Sequence, residues 1–144
     1  AVNIEKGKQT ITQIESSKNY SARYSLPKKY AYEPNASLMK SGGFEAISEL
    51  FVIDKLHQHS HLYTSDANLD FPGRKFSIDV IVPFQKKEIS ALILGKKMNV
   101  STRNFPIKPE EIKKKYKIKD GGTIFAFFTT NMNNEKIILL CTKL

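Results

Sequence analysis

The 144-residue chain has one cysteine, no tryptophan and only seven glycines. A single cysteine excludes an intrachain disulfide and a zinc or iron–sulfur site built from cysteines, so a reducing, cytoplasmic setting is the simplest interpretation. The longest apolar runs, such as residues 137–141, are far too short to span a bilayer. The first ten residues, AVNIEKGKQT, contain no apolar signal core, so nothing in them indicates export.

Motifs for cofactor binding are also missing from the sequence. A nucleotide cofactor in a Rossmann-like domain needs a glycine-rich turn between a strand and a helix, and the chain has neither a G-x-G-x-x-G nor a Walker pattern. It has no Asn-Pro-Pro-Tyr or Asp-Pro-Pro-Tyr run of the amino-methylase type either. Cys141 lies in an apolar segment without a neighbouring base, which favours a buried core residue over a nucleophile. The sequence therefore gives this chain no catalytic and no cofactor-binding residue.

Positive charge is present in excess, and it is concentrated in one segment. The net charge is +9. Residues 1–85 carry 10 basic and 9 acidic side chains, whereas residues 86–119 carry 11 basic and 3 acidic ones. Such a concentration attracts polyanions, including RNA. The alternative is a solvated, lysine-rich surface without a ligand, and charge alone does not decide between the two.

Apolar periodicity predicts an α+β fold for the second half of the chain. We expect strands at 76–84, 98–103, 123–129 and 136–143, and helices at 86–94 and 109–116. One face of the first strand is expected to carry Phe76, Ile78, Val80 and Val82. The last two strands are expected to form an antiparallel hairpin. The resulting order is β-α-β-α-β-β, a small mixed sheet with both helices on one face.

The first half of the chain has weaker signals. Alternation predicts a strand at 9–15, and Asn35 can cap a helix over about 35–52. Gly42 and Gly43 interrupt that helix, which indicates either close packing of a neighbouring segment or a helix start that binds phosphate. We favour packing. Residues 56–70 are polar and irregular, and no regular element is predicted there.

Three alternating histidines are one candidate site. In an extended segment, His57, His59 and His61 would share a face and could hold a metal. No carboxylate or cysteine stands at ligand spacing beside them, although Asp66 could fold back. Exposure of the histidines at the surface is the favoured interpretation, and no metal is expected.

The basic segment is the stronger candidate. We predict one patch that binds RNA phosphates through Lys96, Lys97, Ser101, Arg103, Lys108, Lys113, Lys114 and Lys115. Tyr116 is the only aromatic residue among these lysines and is expected to be buried. A buried Tyr116 favours contacts with the RNA backbone and its shape over stacking on bases.

Several motifs in combination resemble a known family. They are YEPNASLMKSGGF (32–44), HLYTSD (61–66), FPGRKF (71–76), NVSTRNFP (99–106) and KYKIKDGGTIFAFFTT (115–130). Over about 32–144, the chain is similar to the C-terminal part of a class I S-adenosylmethionine-dependent methyltransferase family of the Bacteroidetes type. The resemblance implies a small ferredoxin-like βαβ module without iron at 32–75 and a THUMP-like domain at 76–144. Residues 1–31 would be a strand and connection from an upstream domain.

The resemblance also implies a function. THUMP domains bind RNA in RNA-modifying enzymes, so we expect a non-catalytic RNA-recognition region whose partner is ribosomal or transfer RNA. S-adenosylmethionine would bind in an upstream methyltransferase domain in cis, and this chain alone would not be an enzyme or contact a membrane. We expect an excised C-terminal region or a stand-alone relative. The rival hypothesis is a structural or dimerisation module that does not bind RNA.

Overall fold

The computed structural model describes residues 23–34, 53–69 and 73–144, in which seven strands form one mixed sheet with two helices. The elements are β1 (Tyr30–Pro34), β2 (Asp54–His57), β3 (Ser60–Ser65), β4 (Gly73–Pro83), α1 (Lys86–Leu92), β5 (Asn99–Arg103), α2 (Pro109–Lys115), β6 (Ile124–Thr130) and β7 (Lys136–Lys143). The order across the sheet is β2-β3-β1-β4-β7-β6-β5. The predicted α+β class is confirmed. None of the helices in these ranges is long and apolar enough to cross a membrane.

The elements predicted from residue 76 onward are all present, with ends that differ by three residues or fewer. β6 and β7 form the predicted antiparallel hairpin. The prediction of an irregular segment at 56–70 is wrong, because β2 and β3 pair there as a second hairpin. The sequence of that hairpin lacks the apolar alternation that predicts strands, because several of its buried residues are polar, namely Lys55, Ser60, Thr64 and Ser65. The predicted strand at 9–15 and the helix at 35–52, with Gly42 and Gly43, lie outside the described residues.

One irregularity in β4 changes which side of the sheet its residues face. The register of β4 against β7 shifts between Ile78 and Val80, so that Asp79 is an extra residue in the strand. A bulge of this kind reverses the alternation of side chains beyond it. The prediction that all four apolar residues of this strand share one face is therefore wrong. Phe76 and Val82 belong to different apolar cores.

The two faces of the sheet carry these two cores. The first, called the helix core, contains Ile89 and Ile112 from the helices together with Val82, Ile93, Met98, Ile118, Ala126, Phe128, Ile138 and Leu140. The second, called the strand core, consists of Ala31, Leu56, Leu62, Phe76, Phe127, Ile137, Leu139 and Cys141. Residues of the two cores alternate along β7, so the cores lie on opposite faces. Both helices contribute to the helix core, which confirms that they lie on one face.

The two connections through the helices have opposite hands. β4, β5 and β6 run in the same direction, so each helix joins two parallel strands. α1 leads from β4 to the edge strand β5, and α2 leads back by one strand to β6. Because these connections run in opposite directions over the same face, one of them is left-handed. Connections of this kind are right-handed in nearly all proteins.

The sheet curls strongly toward the strand core. Glu33 of β1 forms ion pairs with Arg74 of the adjacent β4 and with Arg103 of β5. β1 and β5 are four strand spacings apart, which would be about 19 Å in a flat sheet. An arginine and a glutamate side chain cannot span that distance, so the two ends of the sheet must approach each other. Ser60 of β3 also donates a hydrogen bond to the carbonyl oxygen of Thr130 in β6, at 2.9 Å.

Cys141 gives a first test of this packing. It is 1% exposed in the strand core, as predicted for a core residue. Burial, with a smaller effect of the Asp79 charge, raises the pKa of its thiol to about 12. We predict no reaction with a thiol reagent at pH 8 in the native state and complete reaction after unfolding in denaturant. Native labelling at the rate of the unfolded chain would contradict this packing.

The same thiol predicts a dependence of stability on pH. In the unfolded chain it ionises near its ordinary pKa of 9.0, below the raised native value. The native state therefore holds a proton that the unfolded state loses, and the free energy of unfolding falls as pH rises from about 9 to about 12. Cys141→Ala is expected to remove this part of the decrease, which urea denaturation at several pH values measures.

Glu33→Gln tests the closure of the sheet. The Glu33 side chain is 11% exposed and neutralises two guanidinium groups, which glutamine would leave close together without a counter-charge. We predict a loss of about 1–2 kcal/mol in the free energy of unfolding, measured with urea. The control is Glu111→Gln, an exposed residue in the first turn of α2, with an expected change within about 0.5 kcal/mol. If Glu33→Gln lowers the free energy of unfolding no more than Glu111→Gln does, the ion pairs of Glu33 do not stabilise the curled sheet.

Candidate nucleic-acid interface

The residues predicted to bind RNA divide between the two faces of the sheet. Ser101 and Arg103 of β5 stand beside Phe127 and Thr129 of β6, and Phe127 belongs to the strand core. The six predicted lysines lie in the helices or in the loops next to them, on the side of the helix core. The eight residues therefore do not form a single patch. RNA binding by either group stays a prediction.

Arg103 is held by neighbouring groups of the protein. Its guanidinium pairs with Glu33, donates a hydrogen bond to the carbonyl oxygen of Thr102 at 2.7 Å, and lies 5.9 Å from the centre of the Phe127 ring. Burial lowers the pKa of this guanidinium from its usual value. Because its charge is already paired inside the curl, Arg103 fits a structural role in closing the sheet.

The opposite surface is rich in lysine. We call it the helix layer and define it as α1, Lys108, α2 and residues 93–98 and 116–119. Six of the predicted residues lie on it or at its edge, namely Lys96, Lys97, Lys108, Lys113, Lys114 and Lys115. Four further lysines lie there as well, namely Lys86, Lys87, Lys117 and Lys119. They belong to the basic segment 86–119, but only the fold shows that they share this layer.

Backbone hydrogen bonds hold two lysine-bearing loops side by side. Gly95 donates to the carbonyl oxygen of Tyr116 at 2.9 Å, and Lys119 donates to that of Lys96 at 3.0 Å. Gly95 has φ of 72°, a left-handed conformation that glycine adopts without strain and that follows the end of α1 as predicted. The loop after α1 is thus fixed against the loop after α2, with Met98 buried beneath. The backbones of the lysines in the two loops are therefore adjacent.

The lysines of the helix layer differ in how far their charge is compensated. Lys113 forms an ion pair with Asp120 at 3.1 Å. The Lys115 ammonium lies 5.5 Å from the centre of the Tyr116 ring, a cation–π arrangement. Lys108 and Lys114 are exposed. An anion approaching this layer would therefore find Lys108 and Lys114 more accessible than Lys113.

A cavity of about 370 Å³ opens between α1 and the end of α2. It is lined by Phe84, Lys86, Ile89, Ser90, Leu94, Lys115 and Tyr116. The rings of Phe84 and Tyr116 meet edge to face, with centroids 6.4 Å apart. The expectation that Tyr116 is buried is wrong. It is half-buried, because its ring packs on the helix core and also lines the cavity.

The histidines contribute to a polar cluster at one end of the sheet. His57 Nδ1 accepts hydrogen bonds from the backbone N–H of His59 at 3.0 Å and from the Asn104 side chain at 3.3 Å. Its Nε2–H then donates to Asn134 Oδ1 at 2.7 Å. The alternation with His61 is broken because the turn between β2 and β3 falls at residues 58–59. No group of three potential ligands suited to a metal occurs in the described part of the chain.

The described turns from a strand into a helix differ from the glycine-rich turn that binds a nucleotide cofactor in Rossmann-like domains. In this structure, Pro83, Phe84 and Gln85 lead into α1, and residues 106–108 lead into α2. Neither approach contains glycine, and each helix is only seven residues long. Neither turn therefore forms a glycine-rich backbone loop of that kind.

Two family models match adjoining parts of the chain. Residues 30–72 match a ferredoxin-like domain, and residues 73–143 match a THUMP domain-like family. None of the curated proteins matches the chain.

A solved structure is also similar to this chain. It is a crystal structure described as that of a putative methyltransferase from Porphyromonas gingivalis W83, 36% identical, with a TM-score of 0.77. The alignment covers 85% of this chain and 31% of that protein, so the chain spans about a third of its length. The resemblance stated from the sequence is confirmed: this chain is identified as a ferredoxin-like domain followed by a THUMP-like domain, consistent with a C-terminal module of a methyltransferase.

Proposed function

We propose that this chain is the non-catalytic, RNA-binding C-terminal region of an S-adenosylmethionine-dependent RNA methyltransferase. It would position the RNA for a catalytic domain outside these 144 residues, and that domain would hold the cofactor in the cytoplasm. The observation that carries the proposal is the lysine-rich helix layer of the THUMP-like domain. The match to that family supports RNA binding. The similarity to a structure described as a putative methyltransferase supports the link to methyl transfer.

The electrostatics of the helix layer favour a polyanion. Residues 86–119 contain ten lysines besides Arg103, against three glutamates. The two loops after the helices are joined through their backbones, and like charges carried by neighbouring loops repel one another. Phosphate groups relieve that repulsion, and lysine binds them as a point charge without reading the base. The proposed ligand is therefore recognised first by its charge and shape.

Lys108 and Lys114 provide the test, because both are exposed on the helix layer. Binding to a fluorescently labelled single-stranded RNA is measured by anisotropy over a range of salt concentrations. If each lysine contacts one phosphate, Lys108→Ala with Lys114→Ala lowers the slope of log affinity against log salt by about 1.4 and weakens binding several-fold. The matched control replaces Lys29 and Lys143, exposed lysines outside the helix layer, by alanine.

The control decides between local contact and overall charge, since both double variants lose two positive charges. Equal losses of affinity would mean that only the net charge matters. If the variant with Lys108→Ala and Lys114→Ala keeps full affinity for RNA, binding at the helix layer is contradicted. Failure of the unchanged chain to bind any RNA would overturn the proposed function.

The rival function, a structural or dimerisation module, is favoured by exposed apolar side chains. Val80 is 40% exposed and Ile81 is 45% exposed, although both lie in β4 near the middle of the sheet. This function predicts self-association that high salt does not weaken, together with no retention of RNA. Sedimentation velocity at low and high salt, with and without RNA, distinguishes the two functions.

A further inference from the structure

We infer that the cavity between the two helices receives one unstacked base of a single-stranded RNA segment. The inference rests on the proposed function and specifies the form of RNA that the helix layer recognises. The cavity of about 370 Å³ has an apolar lining formed by Phe84, Ile89, Leu94 and Tyr116. Its polar lining residues are Ser90, Lys86 and Lys115. Ligand sites commonly combine an apolar lining with a few polar groups in this way.

The aromatic lining suits a flat ring. Phe84 and Tyr116 stand at 88° to each other, and Phe84 is further fixed by Phe105, with centroids 5.1 Å apart. Both cavity rings pack against the helix core and are half-buried, so little side-chain freedom is lost when a base stacks on them. Leu94 is 45% exposed and offers apolar surface that a base would cover. Stacking on aromatic side chains holds unpaired bases with little regard to sequence.

The charges beside the cavity suit the backbone on either side of that base. Lys86 begins α1 and Lys115 ends α2, and both are exposed while lining the cavity. None of the described residues that line it is acidic. An apolar peptide side chain would fill the cavity without bringing an anion to Lys86 or Lys115, whereas a nucleotide brings phosphates with its base. A duplex keeps its bases stacked inside, so the segment must be a loop, a bulge or an end.

Tyr116→Leu tests the stacking directly, because leucine keeps apolar volume and removes the aromatic ring. We expect about tenfold weaker binding of single-stranded RNA, with an unchanged slope against salt because the phosphate contacts remain. Lys115→Ala is expected to lower that slope. The matched control is Phe125→Leu, a half-buried aromatic residue that packs on the strand core at the other face. It should leave the affinity unchanged, and circular dichroism confirms that each variant is folded.

Cross-linking of the unchanged chain gives a second, independent measurement. RNA that carries 5-iodouridine in a single-stranded loop is irradiated with the protein, and the attached peptide is identified by mass spectrometry. We expect attachment at Tyr116 or Phe84, and none for a fully double-stranded RNA. If RNA binds but attaches elsewhere, or Tyr116→Leu binds it normally, the base site is overturned while the proposed function stands. Absence of any RNA binding overturns both.

Discussion

The packing of Ile89, Ile93 and Ile112 against one face of the sheet is the contact on which the rest of this structure depends. Burying an isoleucine side chain contributes about 1.5–3 kcal/mol, so these residues fix the two short helices in place. The outer sides of the two helices and the loops after them therefore lie on the same face of the sheet. Lysines that lie close together repel one another, so the elements that carry them must be held firmly by packing. The helix core provides that packing, and the proposed RNA-binding surface is the outer side of the helix layer.

The two family matches are joined by a continuous sheet. β1, β2 and β3 lie in the ferredoxin-like part and β4 to β7 in the THUMP-like part, yet β1 pairs directly with β4. The strand core mixes Leu56 and Leu62 from the first part with Leu139 from the second. Glu33 and Arg103 tie the two parts again across the curl. We therefore expect each part to depend on the other for stability.

Local signals explain why much of the second half could be predicted from the sequence. Pro109 followed by two glutamates indicates the start of α2, Gly95 indicates the end of α1, and alternation identifies the strands. The β2–β3 hairpin could not be recognised, because buried Lys55 and Thr64 conceal its apolar pattern. The bulge at Asp79 depends on the partner strand, and the opposite hands of the two connections depend on the whole topology.

The candidate site shows the same division between local and tertiary information. The excess of lysine was visible as composition, and most of those residues do lie on the helix layer. The sequence could not indicate that Arg103 lies on the opposite face from these lysines, because its partner Glu33 is 70 residues away in the chain. Nor could the cavity, since it forms only where Phe84 and Tyr116 meet. A tyrosine among lysines gives the same local pattern whether it is buried or lines a cavity.

Mapping of the RNA contact residue by residue tests the central claim most directly. Backbone amide signals of the isotopically labelled chain are followed by nuclear magnetic resonance as single-stranded RNA is added. We predict that the largest shifts fall in residues 86–97 and 108–119, on the helices and their loops. Shifts concentrated around Ser101 and Arg103 on the opposite face, or spread evenly over the whole surface, would contradict RNA binding by the helix layer.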